Sequence, residues 1–284
     1  MNQKIKRIDK PDDKFRKISH TMLGKTVHKY FELPGKFIGT IENEIPDGKN
    51  NEKRTDGGYQ VSFNGNMIIS IEDESSVVNM ETLEKIYKYC VNMEYVFGSP
   101  VYSVITTIVP LENCMESYSP SETMLYLPKI ISFNEFDGDK RLENARIKVR
   151  NDEEWDDVEG YDLVNIPKMF DKGNDIALEE VCELFSQMRM SNRFIKYALG
   201  RCLQCMISKY AKSLDDVFRL EEMINMVSLK GDADAYIEEI REEARVEGKL
   251  EERLDLARKF ARSFDIDEVA RISGLSKDQI LSER

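Results

Sequence analysis

The segment 58–74, GYQVSFNGNMIISIEDE, constrains this chain more than any other stretch. Apolar and polar residues alternate on both sides of Asn64-Gly65, the pattern of two half-buried strands joined by a tight turn. Tyr59, Val61 and Phe63 on one arm and Met67, Ile69 and Ile71 on the other are all odd-numbered. If one sheet face is core, all six point to it, because side chains alternate along a strand. Directly opposed residues then sum to an even number. A two-residue loop pairs 63 with 66 and breaks this rule. The three-residue loop Asn64-Gly65-Asn66 pairs 63 with 67 and obeys it, with Gly65 supplying the left-handed conformation.

That register has a chemical consequence. The other face carries Asp56, Gln60 and Ser62 on one arm and Ser70, Glu72 and Glu74 on the other. Asp56 falls opposite Glu74, with Glu72 diagonal to it. Carboxylates gathered in this way repel unless a cation or bound protons intervene. Their hard oxygens suit Mg²⁺ or Mn²⁺, ions that activate water and stabilise charge on a phosphodiester. The plainer alternative is a set of exposed acids at a strand end in an acid-rich chain.

The flanking sequence reads as an α/β unit. Residues 20–32 look helical and end at Leu33-Pro34-Gly35, and a second short helix is expected over 36–43, stopping near Pro46. After the hairpin, ETLEKIYKYCVNMEYVF has helical periodicity and ends at Gly98. VYSVITTIV, 101–109, is a β-branched run typical of a buried central strand. LYLPKIISFNEF and LENARIKV each read as strand-forming, and NDEEWDDVEG as a loop. From about 176 onward, three segments carry apolar residues at three- and four-residue spacing, followed by a charged helix over 233–263. The division expected is 1–170 for the α/β domain, 171–230 for a helical domain and 231–284 for the charged helix and terminal hairpin.

With 41% hydrophobic residues the chain can build a core, and no apolar run nears the roughly 20 residues a bilayer requires. Its charged start reads as no secretory leader. A net charge of −12 argues against nonspecific adhesion to nucleic acid. The basic first 20 residues read as a solvated arm. Five scattered cysteines fit a reduced, cytoplasmic protein. Cys202 and Cys205 form a CxxC inside an apolar helical run, with only His20 and His28 in the chain, so they read as buried structural thiols.

Several short motifs, in order, resemble one family. Glu52-x-Arg54-x-Asp56, the hairpin, and Ile71-Glu72-x-Glu74-Ser75-Ser76 are similar to the Rpn family of recombination-promoting nucleases and putative transposases, a branch of the PD-(D/E)XK nuclease superfamily. Leu33-Pro34-Gly35, Glu44-Ile45-Pro46, Gly98-Ser99-Pro100-Val101-Tyr102 and Asp162-Leu163-x-x-Ile166-Pro167 fit the same frame. So does the ending, Glu247-Gly248-Lys249 to Ile266-Asp267-Glu268-x-Ala270-x-x-x-Gly274-Leu275.

The resemblance implies a mixed sheet flanked by helices, an all-α C-terminal half, and a Mg²⁺-dependent DNA endonuclease linked to recombination or mobile elements. Asp56 and Glu72 match the two acidic metal ligands. Glu74 stands where relatives place Lys or Gln to orient the water, and an ionised glutamate has no hydrogen to donate. It joins the expected catalytic and metal-binding set as a ligand. The rival expectations are a non-cutting nuclease-fold protein that binds DNA or protein, and a structural interaction protein. Ala270, Gly274, Leu275 and Ile280 have helix-turn-helix spacing, but the few basic residues there favour a packing hairpin over a DNA reader. A homo-oligomer through the helical half is a further expectation.

Overall fold

A computed structural model describes residues 7–41, 44–46, 52–54, 56–63, 65–170, 172–238, 241, 266, 270 and 275–281. The chain divides into two units, 1–230 and 231–284.

The first unit is built on a mixed five-stranded sheet. Two helices, α1 (Pro11–Met22) and α2 (Gly24–Tyr30), precede β1 (Lys36–Thr40). A short two-stranded ladder, β2 (Glu44–Pro46) with β3 (Glu52–Arg54), leads into the hairpin β4 (Gly57–Ser62) and β5 (Asn66–Glu74). Then come α3 (Met80–Phe97) and β6 (Val101–Thr107), a second small hairpin β7 (Tyr118–Ser121) and β8 (Met124–Tyr126), and β9 (Lys129–Ser132). The sheet order is β1-β4-β5-β6-β9. β1, β4 and β5 run antiparallel, whereas β5, β6 and β9 run parallel. The helical remainder is α4 (Gly138–Arg150), α5 (Asp157–Asn165), α6 (Asn174–Gln187), α7 (Arg193–Tyr210) and α8 (Leu214–Ile224).

The odd-numbered face of the hairpin is core, as the alternation requires. Tyr59, Val61, Met67, Ile69 and Ile71 join Val104 in one cluster with Phe15, Val27, Leu163, Leu178, Leu199 and Leu203 from the helices. The even face is covered as well. There α3 lays Leu83, Ile86 and Cys90 over Ile105, and Met93 over Ile68. The crossover helix is well bounded: the Asn79 side chain accepts from the Thr82 amide at 3.0 Å, and Gly98 stops it with φ of 61°. Only glycine takes that left-handed conformation without steric cost.

Several expectations need correction. The register shares the expected parity and a three-residue turn, but the turn begins one residue earlier, with Val61 opposite Met67 and Ser62 opposite Asn66. Phe63 therefore leaves the core face for the loop, where it is half exposed, and Gly65 has φ of 123°. Residues 36–40 form β1 rather than a helix, since Phe37 and Thr40 pair with Val61 and Tyr59 of β4. LENARIKV lies within α4, where Leu142 and Ala145 are buried three residues apart on one helix face.

The basic N-terminal stretch is not a solvated arm across its described residues. Pro11 opens α1 at a position where its missing amide hydrogen is not needed. Phe15, Ser19 and His20 of that helix are buried. The helix packs on α7, and Arg7 donates to the carbonyls of Ser208 (3.1 Å) and Ala211 (2.6 Å). Cys202 and Cys205 are buried free thiols. In the second unit Leu275 and Ile280 are buried with Ile266 and Ala270 against them, and Gly274 falls outside the described residues, as does most of the expected charged helix. No described helix is long and apolar enough to cross a membrane.

Candidate functional site

The acidic residues gather at the carboxyl ends of the parallel strands β5 and β6, the edge where α/β sheets commonly bind ligands. Asp56 immediately precedes β4, and continuing the observed register sets it opposite Glu72, not Glu74. The displaced turn thus sets the two expected metal ligands opposite each other. The Asp56 amide donates to Glu72 Oε1 at 3.4 Å, and Asp56 Oδ2 accepts from the Asp73 amide at 2.9 Å.

Glu72 is only 2% exposed, on the face beneath α3 beside Ile105. Burial raises its carboxyl well above the usual range, and the charge of Asp56 adds to the effect. Asp56 is raised too, first by burial and then by the charge of Asp73, while Arg16 opposes both. Arg16 reaches down from α1 to pair with Asp56 at 3.2 Å. Glu74 lies one step beyond Glu72 on the same face, and Lys85 of α3 donates to it at 3.1 Å.

Asp73 escaped the sequence reading. It falls on the odd face, one step beyond the apolar run that ends at Ile71. Its carboxylate accepts from His20 Nε2 at 3.0 Å and from the Thr106 hydroxyl, and His20 Nδ1 lies 2.6 Å from Tyr59 Oη. Burial pushes the Asp73 carboxyl up, but His20, by hydrogen bond and charge, together with Lys168 and Thr106, outweighs this and holds it below the usual range. The local signal was Gly57. A Cβ there would lie 2.5 Å from the His20 ring, so the absent side chain is what lets α1 close on the sheet.

Asp56, Glu72 and Glu74 are thus neighbours, but each meets a different environment: Arg16 at the first, a buried pocket at the second, Lys85 at the third. Among the described residues, no group of three or more His, Cys, Asp or Glu side chains is placed to hold a metal ion. Asp56 and Glu72 still offer a two-carboxylate donor set. That number suits Mg²⁺, which keeps several waters and takes one or two carboxylates rather than an all-protein cage. The fit rests on Glu72, a deeply buried carboxylate with no cation within ion-pairing distance among the described residues. Compared with known proteins, the chain matches no family description, no curated protein and no solved structure.

Proposed function

We propose that this chain is a metal-dependent DNA endonuclease of the Rpn and PD-(D/E)XK type, with Mg²⁺ or Mn²⁺ held by Asp56 and Glu72. The observation that carries the reading is the juxtaposition of these two carboxylates, both with raised proton affinity, at the carboxyl end of the parallel strand pair. The element order of helix, three antiparallel strands, crossover helix and parallel strand supports it, since the resemblance implies a sheet of this kind.

A bound divalent ion would supply a polarised phosphodiester oxygen and an activated water. Asp56 and Glu72 would hold it, and the Asp73 amide would orient Asp56. Lys85 brings an ammonium beside Glu74, the position where a donor is otherwise missing. Glu74 adds a third acidic group on the same face and would serve as a further ligand. Exposed Ile176, Leu214 and Phe218 on α6 and α8 support self-association through the helical half. Plasmid DNA incubated with and without Mg²⁺ or Mn²⁺ tests the central reading; intact plasmid under all conditions refutes it.

One observation favours a second reading. Arg16 already pairs with Asp56, and a carboxylate so engaged is less available to a metal ion, as expected of a nuclease-fold protein that binds DNA or protein without cutting. Titration calorimetry with Mg²⁺ separates the two, because the non-cutting form takes up no ion.

A further inference from the structure

At the carboxyl ends of β5 and β6 a cavity of about 40 Å³ opens between α1 and the sheet, with Asp73, Thr107, Arg16 and Lys168 in its wall. Its anions are already matched. Asp73 lies against His20, Asp12 takes Lys209 at 2.7 Å and Glu74 takes Lys85, while Arg16 of the wall is engaged by Asp56 outside it.

Lys168 differs from the other cations. Among the described residues its ammonium has no oxygen acceptor and meets two aromatic rings instead, 3.5 Å from the Phe15 centroid and 4.9 Å from that of Phe133. Ring faces attract a cation without neutralising its charge. They confine the ammonium to one place and leave it able to pair with an incoming anion. Burial pushes Lys168 down to about 8, opposed by the charge of Asp73, so at neutral pH it is still mostly protonated.

Size narrows the anion. One water needs roughly 10–15 Å³ of such space, so the cavity holds about three. That matches a tetrahedral oxyanion and excludes a nucleoside. The neighbouring hydroxyls of Ser75 and Thr107 suit the same group.

We propose that this cavity seats a phosphoryl group, with Lys168 as its cationic contact. The seat rests on the nuclease reading only in naming a DNA strand as the source. Free phosphate offers the same chemistry.

The test is done in EDTA, so that it reads binding apart from cleavage. Inorganic phosphate is titrated into the full chain by calorimetry, and a short single-stranded oligonucleotide is then added as competitor. Phosphate should bind the wild type. Lys168→Met should weaken it at least about tenfold, the loss of one charge-assisted contact, and Lys168→Arg should retain it within about threefold. Circular dichroism and a melting curve verify that Lys168→Met is folded.

Displacement by the oligonucleotide assigns the seat to a strand phosphate. Binding without displacement keeps the seat but assigns it to free phosphate, whatever the plasmid assay gives. No binding up to about 10 mM, or equal binding by wild type and Lys168→Met, overturns the proposal.

Discussion

Glu72→Gln isolates the electrostatic cost of the candidate site. In the metal-free protein the Glu72 carboxyl binds its proton more tightly folded than unfolded, through burial first and Asp56 second. The sign follows from linkage. Below the unfolded value of about 4.3 both states are protonated and the group costs nothing. As pH rises from there toward the raised folded value, the unfolded chain releases its proton first, so stability falls. The slope is about 1.4 kcal/mol for each pH unit of that window. In a chain of this size, one such unit lowers Tm by roughly 3–5 °C.

Glutamine keeps an oxygen to accept from the Asp56 amide but carries no charge. It also relieves Asp56, with which Glu72 titrates as a pair. Urea unfolding of both proteins in EDTA, from pH 4 to 8, should therefore give curves that meet at the acid end and diverge as pH rises, with the variant more stable. Asp73, held low, acts in the opposite sense: its contribution is present at neutral pH and is lost only as pH falls below about 4. It therefore leaves this window clear. Adding Mg²⁺ should flatten the wild-type curve, because an ion on the two carboxylates keeps both ionised. A constant offset between the two proteins across the whole range would refute the reasoning.

Asp56→Ala and Glu72→Ala should each abolish metal-dependent plasmid cleavage; their folds are checked by circular dichroism. Asp56→Ala should also cost about 1–3 kcal/mol in urea unfolding, since the Asp73 amide and Arg16 lose their acceptor. Arg16→Met should tighten Mg²⁺ binding severalfold in calorimetry, because the competing cation is gone; unchanged affinity would mean that Arg16 does not contest the ion's position. Gly57→Ala should destabilise by about 1–3 kcal/mol, read by thermal melting, since the new methyl collides with the His20 ring.

What could be read from the sequence was local. The hairpin, α3 and β6 carry their signals within ten to twenty residues: alternation about Asn64-Gly65, helical spacing up to Gly98, and a β-branched run. β1 was misread because its identity comes from pairing with Val61 and Tyr59, more than 15 residues away, and not from its own pattern. Counting Phe63 as a core residue shifted the register by one pair while leaving the parity intact. The site was legible as far as parity reaches, hence Asp56 and Glu72. Asp73, His20, Arg16 and Lys168 meet only after α1 folds back on the sheet, and no spacing rule links them.

The packing of α1 on α7 also sets an order of assembly. Arg16 and His20 are near the beginning of the chain, yet the helix that bears them is anchored by Arg7 to carbonyls about 200 residues later. Contacts of such separation form late, because a long loop must close first. On the ribosome the hairpin and α3 emerge well before α7, so Asp56 passes through a stage in which Arg16 is not yet held beside it. During synthesis the Asp56 carboxylate is open to any passing cation, and its pairing with Arg16 is fixed only when the helical half arrives.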